Sequence, residues 1–208
     1  MNDKSSLEKA ISNLIIEERE RKDIVIGAPH HTPGGIEKMP CKTHEAGDEN
    51  TGFIARKLAD MLHASSVIAC NYPIDPNKSL GTDYSIQIVQ WKTKYLIEIH
   101  GHGARRVSDN LIEVSSGSTK RNDSSMRFAE TLKNNLNEYP TLKDYDVMGD
   151  ITKIHFKAKS SATITTDLWT PFHIELPPSI RKDNNNNLPG FVDDFVNCLK
   201  ETIDKICL

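Results

Sequence analysis

Histidine follows two separate apolar segments of this sequence, with glycine close by in both cases. Residues 24–28 lead to His30 and His31, and residues 95–99 lead to His100 and His102. Short, mostly apolar segments of this kind are typical of buried strands. In an open α/β sheet, ligands bind at the edge where the carboxyl ends of the parallel strands lie. The pattern therefore predicts that two strands bring imidazoles to one edge of a sheet.

Carboxylates complete this candidate site. Asp48 and Glu49 precede a predicted helix, and Glu175 lies in the apolar segment 172–176, where an unpaired carboxylate is costly to bury. Two neutral imidazoles and one carboxylate are ligands of a catalytic zinc ion that keeps its fourth position open to water. The alternative is that Asp48 only caps its helix and that each histidine is hydrogen-bonded at a strand end. The sequence leaves two candidates for each ligand: His30 or His31, Asp48 or Glu49, and His100 or His102.

Such a zinc site would perform hydrolysis. Zinc lowers the pKa of its water towards about 7 and so provides hydroxide at neutral pH. A carboxylate held off the metal can take the proton of this water and pass it to a leaving amine, and Glu175 is the candidate for this role. Cationic side chains would neutralise an acidic substrate or a developing oxyanion. The candidates for this role are Lys78, Arg105, Arg106 and Arg181.

Strand and helix patterns alternate along the chain. Periodic apolar residues predict helices over residues 5–20, 51–63, 123–139 and 190–206. Short apolar or alternating segments predict strands over residues 24–29, 67–70, 94–99, 111–114, 154–158 and 172–176. Residues 32–50 form a long polar loop, of a length that is often functional. This order predicts an α/β fold, a three-layer sandwich around a mixed, mostly parallel sheet.

Composition and charge restrict the class of protein. The 208 residues are 37% hydrophobic and 26% charged, which favours one globular domain over 1–208, with an N-terminal helix in 1–22 and a site loop in 32–50. A net charge of −3 argues against a nucleic-acid partner. No apolar segment reaches the roughly 20 residues of a membrane helix, and the first residues lack a signal pattern. We therefore expect a cytoplasmic protein whose four cysteines are reduced.

Several of these segments occur together in a known family. They are Ala28-Pro29-His30 followed by Gly34-Gly35, Asp48-x-x-Thr51 ahead of a helix, Asp75-x-Asn77-Lys78, Ile97-Glu98-Ile99-His100-Gly101, and Ile174-Glu175-Leu176 with Arg181 beyond. In this order the chain resembles the N-formylglutamate amidohydrolase family, among the zinc carboxypeptidase-like hydrolases. The resemblance spans roughly residues 24–181.

The resemblance implies a fold and a set of roles. The fold is of the zinc-exopeptidase or phosphorylase-hydrolase type. The implied ligands of one zinc ion per chain are His30, Asp48 and His100, with His31, Glu49 and His102 as reserves, and the implied general base and acid is Glu175. The residues expected to bind substrate are Asn77, Lys78, Arg105 and Arg181. Lys78 stands where an arginine commonly follows the asparagine, and it would meet a substrate carboxylate as a point charge.

The expected activity is hydrolysis of an amide C–N bond by a zinc-bound hydroxide. The expected substrate is a small acidic molecule, either an N-acyl amino acid or a glutamate-containing peptide, with neither nucleic acid nor membrane as a partner. The alternative is a non-catalytic relative of the same fold that binds a metal or a small acid as a sensor or structural unit.

Overall fold

A computed structural model describes residues 13–39, 41, 44 and 46–207 of the chain. The strands are β1 (Asn13–Glu17), β2 (Arg21–Thr32), β3 (Asp48–Glu49), β4 (Ala64–Cys70), β5 (Tyr95–Gly101), β6 (Leu111–Ser115), β7 (Asp146–Met148) and β8 (Thr170–Leu176). The helices are α1 (Thr51–Leu62), α2 (Asp83–Trp91), α3 (Asn122–Asn137), α4 (Ala162–Thr165), α5 (Pro178–Arg181) and α6 (Val192–Cys207), with a 3-10 turn at Thr119–Arg121. Among these described residues, no helix is long and apolar enough to cross a lipid bilayer.

All the described strands belong to one sheet. Their order is β1-β4-β2-β5-β8-β6-β7, and β3 pairs with the end of β2. Within the described part of the chain, β1 with β4 and β6 with β8 are the antiparallel pairs, and the other pairings are parallel. The prediction of a mixed, mostly parallel sheet is confirmed. Parallel pairing places the carboxyl ends of β2, β5 and β8 together at one edge.

Helices cover both faces of the sheet and make three layers. On one face, α1, α3 and α6 pack over an apolar core that includes Ile97, Ile174 and Phe195. On the other face, α2 places Tyr84 and Ile88 in a smaller core over β2, β4 and β5. Burying one such large apolar side chain contributes roughly 1.5–3 kcal/mol. The second face is apolar only near the start of the strands, and its far end carries the polar side chains described below.

The predicted N-terminal helix is wrong for the residues that the structure describes. Residues 13–17 form β1, which pairs antiparallel with β4 at the edge of the sheet, while residues 1–12 lie outside the described residues. The segment Leu14-Ile15-Ile16 contains two β-branched residues in a row, which suit a strand. Leu14 packs against the smaller core, and the pairing satisfies backbone groups of β4 that would otherwise face solvent at the sheet edge.

A second correction concerns residues 154–158, which alternate in polarity but form no strand. The backbone N–H groups of His155 and Phe156 donate to the buried carboxylate of Glu113, at 2.8 to 3.0 Å. Donors that would pair with a neighbouring strand are therefore engaged by a side chain. The segment leaves the sheet and becomes a wall of the cavity described below.

The other predicted strands and helices agree with the structure to within a few residues, whereas β7, α4 and α5 were not predicted. The predicted loop 32–50 is shorter, because β2 continues through Thr32 and Asp48–Glu49 pair with its end as β3. Helix α2 was not predicted. Its N-cap is Thr82, whose side-chain oxygen accepts from the backbone N–H of Ser85.

Candidate metal and catalytic site

A β-bulge in β2 decides which of the two adjacent histidines faces the site. Ala28 pairs with Ile68 and His31 with Cys70, so β2 advances three residues where β4 advances two. Ala28 faces the core beneath α1, and strict alternation would send His30 to that same face. The extra residue reverses the alternation, because bulges re-aim side chains. His30 therefore reaches the opposite face, where it lines a cavity.

His31 takes the other direction and packs against α1. Its ring lies edge-on to Phe53, with 4.9 Å between the ring centroids. A Cβ atom added at Gly52 would lie 2.5 Å from the His31 ring, so this helix position accepts only glycine next to the imidazole. Burial lowers the pKa of His31 to about 4, which keeps the side chain neutral.

His30, Asp48 and His100 converge at the carboxyl edge of the sheet. Asp48 Oδ2 lies 3.5 Å from His30 Nδ1 and 3.4 Å from His100 Nδ1, and all three side chains are buried. One potential ligand atom from each lies within 4.8 Å of the others. These residues lie on β2, β3 and β5. Both β3 and β5 pair with β2. The structure thus brings together the three ligands implied by the family resemblance.

Carboxylates hold the outer nitrogens of both imidazoles. Asp75 Oδ1 lies 2.9 Å from His30 Nε2, and Glu98 Oε2 lies 3.3 Å from His100 Nε2. The Tyr84 hydroxyl donates to the other oxygen of Glu98 at 3.0 Å. Metal-ligating histidines are commonly held in this way, and the outer contact fixes the ring and the tautomer. Each imidazole therefore turns its Nδ1 towards the point that they share with Asp48.

The local charge favours a cation at this point. Burial lowers the pKa of His100, but contacts with Asp48 and Glu98 outweigh it and raise the pKa to about 10. Burial also lowers the pKa of His30, but Asp48 and Asp75 again outweigh it and raise the pKa. Among the described residues, His30 Nδ1 has no hydrogen-bond partner. A nitrogen, oxygen and nitrogen donor set with a buried unpaired imidazole atom fits a zinc ion.

Glu175 lies beside this cluster on β8. It pairs with His100 in the parallel register of β5 and β8, and both side chains face the cavity. Burial raises the pKa of the Glu175 carboxyl to about 7, against the opposing effect of His100. A carboxyl group with this pKa can both accept and release a proton near neutral pH.

A cavity of about 530 Å³ opens over these groups. Asn77 is fully buried in its wall, and both atoms of its side-chain amide lack a hydrogen-bond partner in the part of the chain that the structure describes. Lys78 Nζ lies next to it and donates to Ser160 Oγ at 3.1 Å. Residues 155–161, which include Lys157 and Lys159, form the adjoining wall. The mouth of the cavity is therefore cationic and its floor carries the carboxylates.

The other two reserve ligands are engaged elsewhere. Glu49 forms an ion pair with Lys182. His102 Nε2 lies 2.8 Å from the carbonyl oxygen of Leu111, and its Nδ1 accepts from the backbone N–H of Ala104. With His31 turned towards α1, the structure leaves one residue of each doubled pair at the cluster.

The two arginines expected to bind substrate lie away from the cavity. Arg181 is buried, and its guanidinium donates to the backbone carbonyls of Leu176, Glu49 and His102. Arg105 is exposed. Neither is among the described residues that line the cavity.

Sequence reasoning gave no role to four polar residues near the cluster, although two of them, Asp75 and Glu98, stand in the segments that carry the family resemblance. Glu98 and His173 each stand two positions from a predicted site residue on the same strand, so both share its face. That spacing was available in the sequence as a signal. Asp75 lies in a loop, between Pro73 and Pro76. His44 comes from the long polar loop, and its ring stacks on that of His30 with 3.6 Å between the ring centroids. No periodicity marks either of these residues.

Comparison with known proteins gives a fold. No protein-family model matches the chain, and no curated protein matches it by sequence. A bacteriophage poly-gamma-glutamate hydrolase structure matches with a TM-score of 0.58 and 14% identity, over 97% of this chain and 94% of that one. N-formylglutamate amidohydrolase from Ralstonia eutropha JMP134 matches with a TM-score of 0.58 and 10% identity, over 95% and 99%. This chain has the fold of those hydrolases.

A third structure has the same architecture. N-acetylmuramoyl-L-alanine amidase from Clostridium difficile 630 matches with a TM-score of 0.52 and 17% identity, over 88% of this chain and 95% of that one. At such identities the likeness concerns the fold, and it confirms at that level the resemblance found in the sequence. The names of all three structures describe hydrolysis of an amide bond.

Proposed function

We propose that this protein is a zinc-dependent amidohydrolase that cleaves the C–N bond of a small acidic amide. His30, Asp48 and His100 would hold one zinc ion, and Glu175 would act as general base and acid. The observation that carries the proposal is the cluster itself, two imidazoles with carboxylate-held outer nitrogens and Asp48 between them, beside a buried glutamate in one cavity.

A bound zinc ion at this position supplies a Lewis acid and lowers the pKa of a water molecule towards about 7. The residues of the chain perform the remaining tasks. Glu175, with a pKa of about 7, takes a proton from the attacking water and delivers it to the departing amine. Asp75 and Glu98 keep the two imidazoles in their ligating orientation.

The cavity walls support an acidic substrate. Lys78, Lys157 and Lys159 line the mouth, and the unpaired Asn77 amide offers both a donor and an acceptor to a carboxylate or a carbonyl. A cavity of about 530 Å³ is within the roughly 300–1,000 Å³ of small-molecule sites. We therefore assign substrate binding to Asn77 and Lys78, and propose an N-acyl amino acid or a glutamate-containing peptide as substrate. The names of the phage and Ralstonia hydrolases favour the same substrate class.

The cysteines support a cytoplasmic location, which we also propose. Cys70, Cys198 and Cys207 are free thiols. Free thiols of this kind suit a reducing compartment.

Metal analysis and an activity panel test the function. We expect one zinc ion per purified chain and hydrolysis of N-formyl-L-glutamate or a γ-glutamyl peptide. Glu175→Gln should keep the zinc and lose about 10²–10⁴-fold in kcat, as general acid–base groups do. His100→Ala should lose the metal. Glu201→Gln and His63→Asn change exposed residues and serve as matched controls.

Two results would contradict the proposal. If the purified protein contains no stoichiometric zinc and added zinc restores no activity, the proposed zinc dependence is wrong. A zinc-loaded protein that hydrolyses nothing on the panel would favour the non-catalytic binding alternative.

A further inference from the structure

We propose that His173 is a positioning residue for Glu175, holding one oxygen of the carboxylate through Nε2–H so that the other oxygen faces the reacting atoms. This inference rests on the proposed function, in which Glu175 transfers the proton. His173 and Glu175 stand two residues apart on β8 and therefore share its cavity face. His173 Nε2 lies 3.3 Å from Glu175 Oε1.

The surroundings of His173 determine where its proton lies. The side chain is buried, and its Nδ1 has no hydrogen-bond partner among the described residues. An N–H at Nδ1 would be a buried donor with no acceptor, whereas a bare nitrogen there costs less. Nε2 lies 3.3 Å from the Glu175 carboxylate and therefore has an acceptor within reach, so the ring N–H lies on Nε2 and points at Glu175.

Packing holds the ring in this place. The imidazole of His173 lies against that of His100, with 4.1 Å between the ring centroids. In the strand register, His173 is opposite Glu98 of β5 and Ser115 of β6, so it lies one layer deeper than Glu175. His173 therefore contacts Glu175 from the deeper part of the sheet face, while the Glu175 side chain still lines the cavity.

A second metal ion is the competing use of these residues. His100, His173 and Glu175 also offer ligand atoms within 4.8 Å of one another. His100, however, faces Asp48 with Nδ1 and Glu98 with Nε2, so both of its nitrogens are engaged. His173 and Glu175 alone are two ligands, and catalytic zinc sites use three from the protein. The geometry thus favours a positioning role.

Three measurements on His173→Leu and His173→Gln test the inference, with His63→Asn as the surface control. Leucine removes the donor, whereas the glutamine amide places an N–H where Nε2–H stood. We expect His173→Leu to keep one zinc and a KM within about twofold, and to lose about 10–100-fold in kcat, the usual effect of removing a supporting contact. His173→Gln should recover most of that loss. Long-range ¹H–¹⁵N NMR should show the Nε2–H tautomer of His173, with an Nε2 resonance that shifts in Glu175→Gln.

Several outcomes would overturn the inference. These are an Nδ1–H tautomer, an unchanged kcat in a folded His173→Leu protein, or two metal ions in the wild-type protein and one in His173→Leu. The NMR and metal measurements need no substrate, so they decide the role of His173 even if the panel shows no hydrolysis. If His173→Leu does not fold, His173→Gln and the wild-type tautomer still give the answer.

Discussion

Asp75 and Glu98 illustrate how single side chains outside the proposed ligand set can control a candidate metal site. Each contacts the outer nitrogen of one imidazole, and Glu98 is itself held by the Tyr84 hydroxyl. With a metal bound, the contact would fix the tautomer, with the proton on Nε2 and the lone pair of Nδ1 directed at the metal. Neither carboxylate needs to touch the metal for its loss to weaken binding.

Replacing either carboxylate by its amide should therefore lower zinc affinity. We expect Asp75→Asn and Glu98→Gln each to raise the Kd for zinc by about 10–100-fold, because an amide can present N–H to the ring and favour the wrong tautomer. Competition with a chromophoric chelator measures the change. Asp167→Asn, at a fully exposed side chain, is the control and should leave the Kd unchanged. Unaltered zinc affinity in both carboxylate variants would show that the outer contacts do not orient the ligands.

At the scale of elements, side chains of β6 hold the wall formed by residues 155–161. Glu113 of β6 accepts from the backbone N–H groups of His155 and Phe156. Ser115 of the same strand donates to the carbonyl of Lys157 at 2.9 Å. Residues 155–160 lie in no strand or helix, so side-chain contacts such as these help to hold the wall in place.

Glu113→Gln should loosen this wall. The amide keeps one acceptor and turns a donor towards two backbone donors, so we expect a loss of about 1–3 kcal/mol in unfolding free energy. Hydrogen exchange followed by mass spectrometry should show faster exchange in the peptide covering 154–161, and KM should rise more than kcat falls. Glu130→Gln on the exposed side of α3 should change neither quantity. Exchange that rises equally across all peptides would mean that Glu113 only stabilises the whole fold.

The elements also show how far the sequence alone leads. Apolar segments predicted β5 and β8, and periodic apolar residues predicted α1 and α6. The expected parallel pairing of the strands predicted which edge of the sheet would carry the candidate site. The periodicity of the sequence could not predict whether His30 or His31 faces the site. That choice depends on a bulge that is visible only in the pairing of β2 with β4. The prediction of a strand at 154–158 is wrong for a related reason. Their alternation fits a strand, but a side chain from elsewhere in the chain engages their backbone donors.

At the scale of the whole molecule, the candidate metal site is formed by residues on neighbouring strands from the middle of the sheet. The proposed ligands come from β2, β3 and β5, and the core beneath them includes α6 with Cys198 and Cys207. Burial raises the pKa of both of these thiols to about 12, so they should be inert to thiol reagents while the fold is closed. Their labelling therefore reports on global opening.

Zinc should slow that labelling. A ligand that binds only the folded state at 100 times its Kd stabilises it by about 2.7 kcal/mol, so the modification of Cys198 and Cys207 by iodoacetamide should slow by about 100-fold. Mass spectrometry of the peptides from α6 measures the rate with zinc and after chelation. The His100→Ala protein is the control, because zinc bound directly to the thiols would slow labelling there as well. If zinc slowed labelling equally in both proteins, or in neither, the metal would not be coupled to the fold through the proposed ligands.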